Sequence, residues 1–203
     1  MRVRERGTIP LWLTVSYTLF VAVLVPVYWV HYGPAHFLWA CDIALLITVI
    51  ALWRASRLLA SMMAVAVLVP ELLWNLDFFL RLIVGQDVSG LNATGYMFNP
   101  QQSLPVRILS LFHVFLPLLL LWLVWRLGYH ARAGQATTAL CWLVLPLSYL
   151  FTDPARNINW VFGWGRQPQT WLPGTWYLIL WMLLVPLCIY LPTHLVLKKL
   201  FAR

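Results

Sequence analysis

Apolar residues gather into six long stretches, at about 9–30, 35–53, 58–80, 105–127, 137–151 and 172–197, and polar residues fall mostly between them. A helix of roughly 20 apolar residues crosses the hydrocarbon core of a bilayer. It is also the only open-chain structure that satisfies its own backbone there. The fifth stretch is short and contains Pro146, which predicts a tilted or thinned span, or one continued by part of the next loop. The longer connections, 81–104 and 152–171, are rich in Gly, Pro, Asn and Gln and too short for a separate domain. No internal repeat is evident. The pattern predicts an all-α fold, with residues 1–203 forming one polytopic membrane domain of six transmembrane helices in a compact bundle.

Composition sharpens this. The chain is 62% hydrophobic and 10% charged, whereas a soluble domain is about half apolar and about a quarter charged. A water-soluble enzyme is excluded. Thirteen Trp and eight Tyr suit two aromatic belts at the membrane interfaces. The net charge of +8 forms no patch or stripe, so nucleic acid is not an expected partner and membrane lipid is. Arg2, Arg4 and Arg6 ahead of an apolar run resemble a signal peptide, but the run is longer than a signal segment and no small-residue cleavage site follows. A first span is the expected reading.

Charge then predicts orientation. With six spans, Arg2, Arg4, Arg6, Arg54, Arg57, Arg126, Arg132, Lys198, Lys199 and Arg203 share one side, ten of the fourteen Lys and Arg residues. Arg81, Arg107, Arg156 and Arg166 lie on the other. The bias places both termini in the cytoplasm of a multi-pass cell-membrane protein. The Asn92 sequon falls in an outer loop and matters only where the source glycosylates its proteins. Cys41, Cys141 and Cys188 lie inside apolar runs, as reduced thiols would. Cys141 and Cys188 read as packing residues.

Ionisable groups within spans are costly and mark functional sites by default. Counted from the outer end of the second stretch, Cys41 and Asp42 sit about 10 Å deep, and His113 sits about 12 Å deep in the fourth. Glu71, Asn75 and Asp77 fall in the outer half of the third. His36 stands at the outer mouth, with Asn157 and Asn159 in the adjoining loop. The inner half has no comparable set, so one polar cavity opening outward is expected, lined by His36, Asn75, Asp77, Asn157 and Asn159. Structural readings stand beside this. Asp77 and Arg81, four apart, could form an interfacial ion pair. A protonated Glu71, next to Pro70, could bond freed backbone or Asn75. Asp42 and His113 could simply bridge helices.

A buried thiol needs a neighbouring base, and an imidazole held by a carboxylate supplies one. Cys41 as nucleophile, His113 as general base and Asp42 or Glu71 as orienting group make that set. In the outer leaflet it would reach the ester region of a phospholipid, so acyl transfer or lipid hydrolysis is the expected chemistry. The same residues allow a cation- or lipid-binding or transport role, with His113 and Asp77, Glu71 or Asp42 around zinc or iron. A non-catalytic membrane subunit is the third reading. There is no Gly-rich phosphate loop. No metal or other cofactor is assigned, although His113 alone could ligate haem.

The run Leu38-Trp39-Ala40-Cys41-Asp42-Ile43-Ala44-Leu45 resembles the Cys-Asp motif in an early span of the bacterial YwaF-like membrane proteins and the vertebrate transmembrane protein 164 acyltransferases. Leu109-Ser110-Leu111-Phe112-His113 resembles their later Ser/His-bearing span, and Asn157-Ile158-Asn159-Trp160-Val161-Phe162 is similar to their Asn-aromatic segment. Trp176-Tyr177 and Tyr190-Leu191-Pro192 are similar to their last span. The resemblance implies a membrane helical fold and an acyltransferase pair, carried here by Cys41 and His113.

Overall fold

The computed structural model describes residues 8–87, 89–90, 93–165 and 168–201. Every regular element among them is helical. In chain order these are α1 (Leu11–Tyr32), a 3-10 turn (Pro34–Leu38), α2 (Ala40–Trp53), α3 (Arg57–Val84), α4 (Leu104–Ser110), α5 (Phe112–Leu127), α6 (Ala133–Phe151), α7 (Gly174–Val185) and α8 (Leu191–Phe201). A short 3-10 turn (Gly95–Phe98) precedes α4, and two more (Pro154–Arg156 and Ile158–Trp160) follow α6. A π turn (Pro186–Tyr190) joins α7 to α8. Five helices are long and apolar enough to cross a membrane: Leu11–Tyr32, Arg57–Val84, Leu104–Leu127, Ala133–Phe151 and Gly174–Phe201.

Local chemistry sets the ends. The Ser56 hydroxyl accepts the Leu59 N–H at 3.3 Å and caps the start of α3. Gly85, at φ 78°, closes it in the left-handed conformation, with its N–H on Arg81 O. Two expected boundaries shift outward: α3 runs on to Val84, and α6 begins at Ala133 rather than 137. The extra turn of α6 is held by Thr137, whose hydroxyl donates to Ala133 O at 2.8 Å and lies 3.0 Å from Met62 O. The fifth stretch thus reaches length at its N-terminal end, not through the following loop.

The second expected span is the main correction. Residues 35–39 do not continue α2; the 3-10 turn and an extended Trp39 (φ −56°, ψ 135°) precede it. The 14-residue α2 is about 21 Å long at 1.5 Å per residue. Cys41 and Asp42 are therefore in its first turn, not two turns deep. The fourth stretch is also divided, because Leu111 N and Val114 N turn to carbonyls three residues back (Ile108 and Leu111).

The core gathers on α3, which packs against α5, α2 and α6. Ala60, Ser61, Ala64 and Ala66 of α3, with Ala44, Thr48 and Ala51 of α2, are buried. Small residues let the helix backbones approach closely, which replaces the hydrophobic drive that lipid cannot supply. Large apolar side chains such as Trp12, Leu72, Ile83 and Phe151 remain exposed on the outer wall. At one end Arg57 Nε donates to Tyr129 O at 2.9 Å, Tyr129 N to Phe201 O at 3.1 Å, and His130 N to Ser61 Oγ at 3.0 Å. The opposite end carries the polar residues considered next.

Filling the α3 seam tests this packing. Ala64→Leu is expected to destabilise the protein by about 1–3 kcal/mol, read as a lower melting temperature in detergent. Leu72→Ala on the exposed face should stay within about 0.5 kcal/mol of the parent.

Candidate functional site

Three helices meet where the chain spends its buried polar atoms. Glu71 Oε2 of α3 lies 2.7 Å from Nδ1 of His113 on α5. The Cys41 sulfur, one Glu71 oxygen and one His113 ring nitrogen all lie within 4.8 Å of one another. Asp42 Oδ2 lies 4.0 Å from the Cys41 sulfur on one side and 3.6 Å from His36 Nε2 on the other. The Glu71 and Asp42 side chains are each 2% exposed, against 12% for His113 and 17% for His36. Glu71 Oε1 and Asp42 Oδ1 are buried with no hydrogen-bond partner.

The His113 ring is held by its surroundings. Trp74 and Phe112 stack on it, with ring centroids 4.5 Å and 4.0 Å away. Its backbone is held by a consequence of proline: Pro117 has no N–H to donate to the carbonyl four residues earlier, which is that of His113. Asn75 fills the gap, with Nδ2 at 2.7 Å from both His113 O and Glu71 O. Asn75 thus binds the backbones of α3 and α5 at the level of the Glu71–His113 bond. It bonds the backbone of Glu71, not its carboxyl group as expected.

Cys41 is placed by the start of α2 and by Asn159. Asn159 Oδ1 accepts from Ala40 N at 2.9 Å, while Nδ2 donates to Leu38 O at 2.7 Å and Ser148 Oγ at 3.0 Å. Trp181 Nε1 holds the Asn159 carbonyl at 2.9 Å. Asn157, Asn159 and Trp160 all adopt positive φ, at 42°, 54° and 57°, so this grip uses left-handed backbone. Asn159 takes the first N–H of the helix, and the next two, of Cys41 and Asp42, belong to a first turn that has no intrahelical acceptor for them.

Arg156 donates to His36 Nδ1 at 3.3 Å. A guanidinium only donates, so Nδ1 is the acceptor and the ring proton sits on Nε2, toward Asp42. Tyr32 stacks on the same ring at 4.2 Å.

The expected cavity residues therefore divide. Cys41, Asp42, Glu71 and His113 come together, with His36 behind Asp42 and Asn75 and Asn159 as backbone clamps. Asp77 is elsewhere: it bonds Ser89, and its Oδ2 accepts both Thr94 N and Thr94 Oγ1 at 2.7 Å. Arg81 pairs with Asp87 at 3.0 Å, so the anticipated Asp77–Arg81 ion pair gives way to two anchors for the 85–94 connection. Asn157 closes its own loop, with Nδ2 at 2.8 Å from Gly163 O and Gly165 O and Oδ1 on Phe162 N. Cys141 is buried and Cys188 exposed, both free and both away from this centre. Asn92, Arg166 and the terminal arginines Arg2, Arg4, Arg6 and Arg203 lie outside the described residues.

Sequence reasoning missed Arg156 and Tyr96. Burial pushes the Tyr96 hydroxyl well above its ordinary range, offset in part by the Ser110 hydroxyl. Tyr28 OH meets the same Ser110 Oγ at 2.6 Å. These residues were hidden because loops carry them to the site and neither lies in an apolar run.

A thiol beside a carboxylate–imidazole pair can lose its proton and attack a carbonyl. Sulfur, nitrogen and oxygen donors so close together also suit a borderline-soft divalent ion such as zinc. No protein-family model, curated protein or solved structure matches the chain.

Asn75→Ala strands the His113 carbonyl, and Asn159→Ala strands Ala40 N. Each is expected to lower stability by about 1–3 kcal/mol, the scale of a buried backbone group left unpaired, measured by thermal unfolding in detergent.

Proposed function

We propose that this is a six-span cell-membrane protein with both termini in the cytoplasm, and that its Cys41–Glu71–His113 centre transfers or hydrolyses acyl groups of membrane-lipid esters. In this topology α2 and the preceding turn together make the sixth crossing. Arg54, Arg57, Arg126, Arg132, Lys198 and Lys199 fall on the inner side. The observation that carries the chemistry is the 2.7 Å Glu71–His113 bond with the Cys41 sulfur beside it. The short motifs around Cys41 and His113 that resemble an acyltransferase family select the same pair.

The thiol proton passes to the Glu71–His113 pair as the sulfur bonds the ester carbonyl carbon. The ester C–O bond then breaks, and the lysolipid oxygen leaves with that proton. A thioester on Cys41 remains. Attack by an acceptor hydroxyl completes transfer, or attack by water completes hydrolysis; either nucleophile gives its proton back through the pair and the thiol is restored. The Cys41 and Asp42 N–H groups at the start of α2 lie where charge on the sulfur or the carbonyl oxygen would be stabilised.

A second reading, a divalent metal centre, is favoured by the orphaned Glu71 Oε1 beside the Cys41 sulfur and the His113 ring. A cation held by Cys41, Glu71 and His113 would satisfy that oxygen, and Asp42 lies outside this ligand set.

The readings separate on purified protein in vesicles holding a phosphatidyl lipid with a fluorescent acyl chain. Acyl release or exchange is expected from the parent. It should vanish in Cys41→Ala and fall about 10²–10⁴-fold in His113→Ala. Cys41→Ala turning over at the parental rate would sink the nucleophile. For the metal centre, elemental analysis should find one zinc per chain, lost in Cys41→Ala; metal-free protein with full turnover rejects it.

A further inference from the structure

The corner that carries His36 and Asp42 has an apolar side as well. Val25 and Trp29 of α1, Pro34 and Phe37 of the 3-10 turn and Leu46 of α2 line an open groove of about 270 Å³. The Trp29 and Phe37 rings flank it, centroids 6.3 Å apart and tilted by 35°. Trp29 is 56% exposed, so the groove opens on the outer wall of the bundle, where lipid lies in the proposed topology.

A fixed cation stands on residues adjoining the groove wall. Arg156 donates through Nη1 to Tyr32 O at 2.9 Å and through Nη2 to His36 Nδ1 at 3.3 Å. Tyr32 is one turn beyond Trp29 on α1, and His36 precedes Phe37 in the turn. The guanidinium is thus pinned within a residue or a turn of the groove wall, at the end of the bundle where α1 stops. Among the described residues no carboxylate forms an ion pair with it: Asp153 accepts from Ala155 N, and Asp42 lies on the far side of the His36 ring. A guanidinium carries five donors in a fork that matches phosphate, and the two named bonds use two of them.

We infer that this corner binds one phosphate-bearing membrane lipid, its phosphate on Arg156 and one acyl chain in the groove between α1 and α2. The volume lies below the roughly 300–1,000 Å³ of sites that enclose drug-sized ligands, and it suits part of a single acyl chain. Charge selects an anionic head over a neutral one. Binding here stands without the chemistry proposed for Cys41; only the description of this lipid as the substrate rests on that reading.

Native mass spectrometry of the full chain, released from micelles containing phosphatidylglycerol, tests the site. One retained lipid is expected on the parent, and dioleoylglycerol, which lacks phosphate, should not be retained at the same concentration. Arg156→Gln removes an exposed charge and should weaken retention about tenfold, the scale of one charge-assisted hydrogen bond. Leu46→Trp should do so by filling the groove, and Arg156→Lys should recover part of the binding. Equal retention by parent, Arg156→Gln and Leu46→Trp would mean an annular lipid only and would overturn the site, as would no retention by the parent. Cys41→Ala should bind as the parent does. Lipid retained without any turnover in the parent would sink the acyl chemistry and keep the site; parental turnover in site variants that have lost the lipid would keep both and remove only the description of this lipid as the substrate.

Discussion

Inside a membrane protein a buried polar atom has no water to fall back on, and the 2.7 Å bond between Glu71 and His113 is where this constraint is felt most. A carboxyl group and an imidazole are brought into an apolar bundle by two different helices. Their cost is offset only if each finds the other in good geometry. The register of α3 against α5 is therefore tied to that bond, and Asn75 secures the same register from the backbone side. Cys41 joins from a third helix. The polar centre and the packing of α3 are two descriptions of one arrangement.

Proline extends the same logic. A helix proline strips a donor from the carbonyl four residues before it, and in lipid that carbonyl must be satisfied by something else. Pro117 exposes His113 O, and Asn75 answers it from α3. Pro186 exposes Met182 O, and the Trp142 indole answers from α6 at 2.9 Å. These two broken intrahelical bonds have become bonds between helices. The π turn begins at Pro186, so the irregularity of α7–α8 and its docking on α6 share a cause.

The apolar stretches were legible because hydrocarbon demands length and hydrophobicity, and each contains helix in the structure, although the second is cut short and the fourth and sixth are broken into two pieces. What they could not reveal was where a rod truly begins. The residues 35–39 are apolar enough to extend α2, yet Pro34 and the grip of Asn159 on Leu38 and Ala40 hold them apart from it. Cys41, Glu71 and His113 could be singled out because charged or reactive groups stand out against leucine. Asp77 stood out equally and does another job, since its partners Ser89 and Thr94 come from a loop whose path no periodicity encodes. Asn157 and Asn159 look alike in sequence; one closes its own loop and the other reaches α2, a difference set by left-handed backbone at three neighbouring residues. Arg156 sits in a connection, and only the fold brings it to His36.

The shortness of α2 explains why the site lies at this end of the bundle. In the proposed six-span topology α2, at about 21 Å, falls roughly 9 Å short of a 30 Å hydrocarbon core, beside a 28-residue α3 that has length to spare. At the other end the connections are tight turns, and the chain closes them with bonds to backbone, as between Arg57, Tyr129 and Phe201. The deficit thus falls wholly at the start of α2. It is filled by the 3-10 turn and by the segment after α6, which bring His36, Asn159 and Arg156 to the helix end. A full-length α2 would have covered that space with its own first turns and turned its unpaired N–H groups to the aqueous surface. Because it starts late, its first turn brings Cys41 to Glu71 and His113 and Asp42 to His36.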